Sequence, residues 1–219
     1  MKKKILKFLI KTPTLLNSIL FLRNKLFFLN PYGTHKYIVK KILKNLLIKN
    51  KKITIIEVGS GENSTIFFSK FTKSNNSSFF SFENNREYFN KISKIVINTN
   101  EINYGVNIKY DPNFSAVKNF EGNVDLLFID SSPFSTREEI LNHFKNKAKI
   151  IILHDCDYFP DAGIFGKSIR PIKKNNDVGY RNYDDVFNSW YEYFPKRFHS
   201  PTGPPTLVGS NLIDIREYI

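Results

Sequence analysis

Short apolar runs alternate with helix-like segments along the middle of this chain, and each run stops on glycine, a carboxylate or histidine. The first, Ile53 to Val58, ends at Gly59-Ser60-Gly61, and the next, Ser78 to Glu83, ends on its own acid. A third, Val106 to Tyr110, precedes Asp111 and a loop over 111–116. Val124 to Ile129 runs into Asp130, and Ala148 to Leu153 into His154-Asp155. Between them, Thr65 to Phe71, Arg86 to Ile95 and Thr136 to Phe144 carry helical spacing. Continuous apolar strands separated by helices predict an α/β, doubly wound, mostly parallel sheet covered on both faces. Right-handed crossovers bring every carboxyl-terminal strand end to one edge, where such sheets bind ligands. The polar clusters at 57–61, 83, 111, 130 and 154–157 all fall at those ends.

Charge divides the chain unevenly. Its 219 residues carry a net charge of +13, yet no acid precedes Glu57. Residues 1–52 hold 14 basic residues, so the remaining 167 are close to neutral at −1. Residues 1–50 are therefore read as a basic helical N-terminal extension and 51–219 as the main domain. In the extension, residues 4–29 are helix-like and broken at Thr12-Pro13-Thr14, 30–34 form a turn, and Ile38, Ile42, Leu43, Leu46 and Leu47 mark a helix face. Lysines interleaved with apolar residues suit either a solvated helix surface or, through residues 1–30, a peripheral contact with anionic membrane. Nucleic acid is disfavoured, because the near-neutral body offers no basic groove. One cysteine, Cys156, excludes a disulfide framework and a multi-cysteine metal site within one chain. With no run long enough to span a bilayer, the expectation is a soluble cytoplasmic protein, peripheral to membrane at most.

The tail reads differently. Val186, Phe187, Trp190, Tyr191 and Phe194 suggest a helix over 183–193, Leu207 to Ile215 a last strand, and 199–205 a rigid turn between strands. Residues 158–206 are placed over the acceptor, with Phe187 and Trp190 read as core.

Gly59 and Gly61 allow a tight turn and close approach of backbone to a ligand. Asn63-Ser64-Thr65 starts the next helix, and Glu83 lies where a carboxylate accepts ribose hydroxyls. A nicotinamide dinucleotide wants a third glycine at position 64, which is Ser64. A nicotinamide-dependent oxidoreductase and a non-enzymatic peripheral membrane protein are therefore the alternatives.

Glu57-Val58-Gly59-Ser60-Gly61, Glu83 and Val124–Asp130 resemble the glycine-rich loop, the ribose acid and the fourth strand of class I S-adenosylmethionine-dependent methyltransferases. The resemblance spans about residues 53–157. It implies a Rossmann-like sheet of seven strands and S-adenosyl-L-methionine as cofactor, held by Glu57, Gly59, Ser60, Gly61, Ser64, Glu83 and Asp130. The reacting end is similar to small-molecule and sugar O-methyltransferases, implying transfer to a hydroxyl of a small metabolite or glycan. Asp130, His154 and Asp155 are then the catalytic candidates. Asp130, Asp155 and Asp157 form a candidate all-oxygen Mg²⁺ site, although Cys156 stands where that pattern has a second polar ligand. The alternative is a plain general base at His154 or an aspartate.

Overall fold

The structure, a computed structural model, describes residues 35–98, 106–156, 183–193 and 206–219. The early helices, the 12–14 break, the turn at 30–34, the turn at 199–205 and Asp157 lie outside the described residues.

Helix α1 (Lys36–Lys49) turns Ile38, Val39, Ile42, Leu43 and Leu46 inward. It leads into β1 (Thr54–Val58), α2 (Ser64–Ser74), β2 (Ser78–Glu83), α3 (Arg86–Asn98) and β3 (Val106–Tyr110). A short α4 (Ser115–Lys118) precedes β4 (Val124–Ile129), α5 (Phe134–Phe144) and β5 (Ala148–Leu153). The described tail holds β6 (Ser189–Tyr193), β7 (Thr206–Ser210) and a 3₁₀ turn at Ile215–Glu217. One seven-stranded sheet results, in the order β3-β2-β1-β4-β5-β7-β6. Strands β1 to β5 are parallel to their neighbours, whereas β7 runs antiparallel to both β5 and β6.

The period of two explains how the central strands serve two cores at once. Leu126, Phe128, Ile150 and Ile152 face α1, α2 and α3, where they meet Ile42, Phe68 and Ile92. Leu127, Ile129, Ile151 and Leu153 face the other layer, with Val117 of α4 and Ile140, Leu141 and Phe144 of α5. This is why β4 and β5 read as unbroken apolar runs. Helix α1 is built into the first core despite the charge around it.

Two expectations for the tail need correction. The aromatic stretch 183–193 is not a helix: it is a turn followed by β6, which pairs with β7 from Ser189↔Ser210 to Tyr193↔Thr206. Trp and Tyr fit a half-buried pleated surface, and pairing with β7 overrides the local helical spacing. The last strand is also shorter, ending at Ser210, whose hydroxyl accepts the amides of Leu212 and Ile213 and so turns the chain. Phe187 is core, and Trp190 is half-buried, with its indole N–H donated to Asp184 at 2.8 Å. Near the sheet's other edge, the loop expected to reach residue 116 ends instead at α4.

Gly209 shows how tightly this edge is closed. A Cβ there would lie 2.3 Å from the Phe187 ring. Gly209→Ala is therefore expected to lower unfolding free energy by about 1–3 kcal/mol, as overpacking does, in urea titration. Unchanged stability would mean that the Phe187 ring moves aside at no cost.

Candidate active site

The turn after β1 is held against two neighbouring strands. Gly59 donates its N–H to Phe82 at 2.8 Å, and Asp130 donates its own to Val58 at 2.8 Å. With φ at +88°, a Cβ on Gly59 would sit 2.5 Å from the Asp130 carbonyl oxygen, so only glycine fits. Gly61 has a different reason: a Cβ there would meet the Ser64 hydroxyl at 2.7 Å, where α2 begins. Ser64 itself is buried.

Glu57 lies beneath this turn, fully buried, and does not line the cleft. Its Oε2 accepts hydroxyl hydrogens from Thr65 and Ser81, each at 2.6 Å. Thr65 Oγ1 in turn accepts the Gly61 N–H, and the Ser60 and Ser81 hydroxyls lie 2.8 Å apart. Burial pushes the Glu57 carboxyl up to about 7, with the hydroxyls of Ser64, Ser81 and Thr65 only partly offsetting it. The native state thus holds this proton more tightly than the unfolded chain. The resulting stabilisation is complete below pH 4.5 and lost as pH rises through 7, a total of about 3 kcal/mol. Because the neutral His35 contributes an opposite slope over the same range, the expected result is a difference: wild-type stability relative to Glu57→Gln should fall between pH 5 and 6.5, measured by urea unfolding of both proteins at each pH. A constant difference would show the group already ionised throughout.

Glu83 ends β2 facing the same turn. Its Oε2 accepts the Ser60 N–H at 2.8 Å and its Oε1 accepts the Asn85 N–H at 2.7 Å. Burial raises its pKa, and the amides of Asn85 and Ser60 work against that rise. Between the turn and Glu83 opens a cleft of about 410 Å³ lined by Gly59, Ser60, Glu83, Tyr88, Asp130 and Ser132, with Asn84 and Asn85 beside Glu83. Asn84 donates to the Ser132 carbonyl at 2.7 Å and so spans from the end of β2 to that of β4. Asp111 is used differently. Its carboxylate accepts the amides of Ser115, Ala116 and Val117, closing the start of α4.

Asp130 joins the cleft to a second group of charges. Arg137 Nη2 donates to Asp130 Oδ1 at 2.9 Å, and His154 Nδ1 lies 3.3 Å from Asp130 Oδ2 and 3.1 Å from Asp155 Oδ1. Arg137 also donates to the carbonyls of Ser131 and His154, each at 2.6 Å, tying the ends of β4 and β5 together. Burial alone would raise the Asp130 carboxyl, but the charges of His154 and Arg137 outweigh it and hold it low. Burial likewise opposes charge on His154, and Asp130 and Asp155 outweigh it, so the imidazole is raised. His35, just before α1, stands edge-on to His154 with ring centroids 4.4 Å apart. Burial, then the charge of His154, lowers its pKa to about 3, so it stays neutral.

An all-oxygen Mg²⁺ site does not fit this cluster. Mg²⁺ asks for octahedral oxygen ligands, whereas His154 stands between the two carboxylates and the Arg137 cation occupies one Asp130 oxygen. Asp157, the third expected ligand, lies outside the described residues.

Of the residues singled out in the sequence, Gly59, Ser60, Glu83 and Asp130 meet at the cleft. Glu57, Gly61 and Ser64 build the turn from below, and His154 and Asp155 stand behind Asp130. Asn84, Asn85 and Tyr88 were passed over, although their place directly after a strand end on an acid is a usable signal. Arg137 stands seven residues after Asp130, one turn into α5, but that spacing does not mark its bonds to Asp130 and to the carbonyls of Ser131 and His154. Nothing in the sequence marks His35.

No protein-family model matches the chain, and no curated protein matches it in sequence. Solved structures do match. A structure of the bifunctional kinase-methyltransferase WbdD aligns with a TM-score of 0.52 at 14% identity, over 80% of this chain and 38% of that one. The human methyltransferase 10 domain containing protein aligns with a TM-score of 0.50 at 14% identity, over 93% and 98% of the two chains. The N-terminal domain of human METTL16 in complex with SAH gives 0.53 at 13% identity, over 87% and 78%. This chain spans about two fifths of the WbdD chain. It has the fold of the class I methyltransferases. The reversed β7 between β5 and β6 also separates this sheet from the all-parallel 3-2-1-4-5-6 order of dinucleotide-binding domains.

Proposed function

We propose that this chain binds S-adenosylmethionine in the cleft between the Gly59–Gly61 turn and Glu83, and methylates a hydroxyl of a small metabolite or glycan. The observation that carries the reading is Glu83, anchored through both oxygens opposite a turn that only glycine can make. Each oxygen accepts one amide and keeps a lone pair for a ribose hydroxyl. Gly59 and Ser60 offer close backbone approach, and the buried Glu57 braces the turn from below through Thr65 and Ser81. The METTL16 relative carries SAH on the same fold, which supports this choice of ligand.

When bound, the cofactor supplies a methyl made electrophilic by its sulfonium sulfur. The protein's share is alignment, exclusion of water and removal of the acceptor proton. His154 is almost wholly buried, whereas the side chains of Asp130 and Asp155 are 26% and 20% exposed. Asp155 therefore suits the role of proton acceptor at its carboxylate oxygen, with His154 as the positioning residue behind it. Asp130 has one oxygen taken by Arg137, and His154 and Arg137 hold its pKa low.

Calorimetry with S-adenosylhomocysteine and with NAD, followed by transfer of labelled methyl into cell extract, tests the reading. The expected result is binding of the nucleoside thioether alone and transfer indifferent to EDTA. Absence of heat with S-adenosylhomocysteine would overturn the proposal, and loss of transfer with EDTA would restore a metal.

A further inference from the structure

Helix α1 has an outer face that the core leaves uncovered. At 100° per residue, Tyr37, Lys40, Lys41, Lys44 and Ile48 fall within an arc of about 100°, opposite the buried Ile38, Val39, Ile42, Leu43 and Leu46. All five are exposed, Tyr37 at 57% and Ile48 at 74%, the highest among large apolar side chains in the described residues. Lys51 and Lys52 extend the stripe past the helix end and are also exposed. Among the described residues no acid forms an ion pair with Lys40, Lys41 or Lys44. The nearby acid Glu217 pairs with Lys49 instead. A folded domain thus presents a fixed ridge of lysines bracketed by two exposed apolar groups about 16 Å apart along the axis.

We infer that this ridge docks the protein onto an anionic lipid surface, lying along the headgroups without crossing them. Three observations favour lipid over nucleic acid. The charges are all lysine, with no arginine between Arg23 and Arg86, which suits a diffuse anionic surface better than forked recognition of single phosphates. Ile48 and Tyr37 lie on the cationic face, where they enter the interface as the lysines meet headgroups. The Tyr37 ring stacks on Tyr193, 6.1 Å between centroids, so one of its faces is already taken and does not stack a base. No helix among the described residues is long and apolar enough to cross a membrane. This docking is independent of the methyl-transfer reading.

Co-sedimentation of the full chain with phosphatidylcholine vesicles, with and without about 30 mol% phosphatidylserine, tests it. Binding is expected only with the anionic lipid and is expected to weaken as salt shortens the Debye length. Lys40→Ala/Lys41→Ala/Lys44→Ala should lower the partition coefficient roughly 100-fold, and Ile48→Ser should lower it further. These side chains are exposed, so circular dichroism should report an unchanged fold. A Lys2→Ala/Lys3→Ala/Lys4→Ala variant separates the ridge from the first residues. The inference is overturned if the ridge variant binds like wild type, if wild type ignores phosphatidylserine, or if it prefers single-stranded RNA to the vesicles at equal salt.

Discussion

Replacing Glu83 with alanine is expected to weaken S-adenosylhomocysteine binding by about 10²–10⁴-fold in calorimetry. Hydrogen bonds to a charged acceptor contribute about 1.5–3 kcal/mol each, and two ribose hydroxyls place the total at about 3–6 kcal/mol. The same substitution strips the Ser60 and Asn85 amides of their acceptor, loosening the turn that Gly59 makes. Glu83→Gln should be nearly as damaging, because an amide nitrogen would face one of those two N–H donors. Glu83→Asp is too short to hold both amides and reach the cleft. The two contributions can be told apart by thermal melting without ligand, which reports the loss of the brace alone. Affinity within about threefold of wild type would show that no ligand hydroxyl meets this carboxylate.

The parts of this architecture written in the sequence are those where burial is two-sided. Strands β4 and β5 lie between two helical layers, so Leu126 to Ile129 and Ile150 to Leu153 are apolar at every position. Their ends are legible for the same reason, since Asp130 and His154 are the first polar residues after each run. The edge of the sheet is written less clearly. In β6 the residues Ser189, Trp190 and Glu192 are half-buried and Tyr191 exposed, and their aromatic spacing fits a helix as well as a strand. Only pairing with β7, which follows after more than ten intervening residues, decides between them. Site residues divide in a similar way. Glu83 and Gly59 act through backbone geometry that their neighbours announce, whereas Arg137 and His35 act through contacts made only once β4, β5 and α1 have converged. Spacing between acids likewise does not reveal that the His154 imidazole stands between Asp130 and Asp155, or that the Arg137 guanidinium takes one Asp130 oxygen.

Asp155→Asn separates the reacting end from the nucleoside end. Turnover is expected to fall by about 10²–10⁴-fold, the usual contribution of a positioned proton acceptor, with S-adenosylhomocysteine affinity within about threefold of wild type. Asparagine is the appropriate replacement, because Asp155 sits at φ +51° and asparagine tolerates that left-handed conformation where alanine would add strain. The variant also carries a readout that mere misfolding would not give. Burial alone would lower the His154 pKa, and the charges of Asp130 and Asp155 raise it above its ordinary 6.5. A histidine raised on folding stabilises the native state fully below pH 6.5, and the effect fades as pH rises through the folded value. Loss of the Asp155 charge removes part of that stabilisation. The stability gap between wild type and variant should therefore be widest below pH 6.5 and narrow above it. A gap independent of pH would mean that Asp155 does not hold the imidazole. Unchanged turnover would move the proton acceptor to Asp130, where the low pKa set by His154 and Arg137 demands a more acidic acceptor hydroxyl.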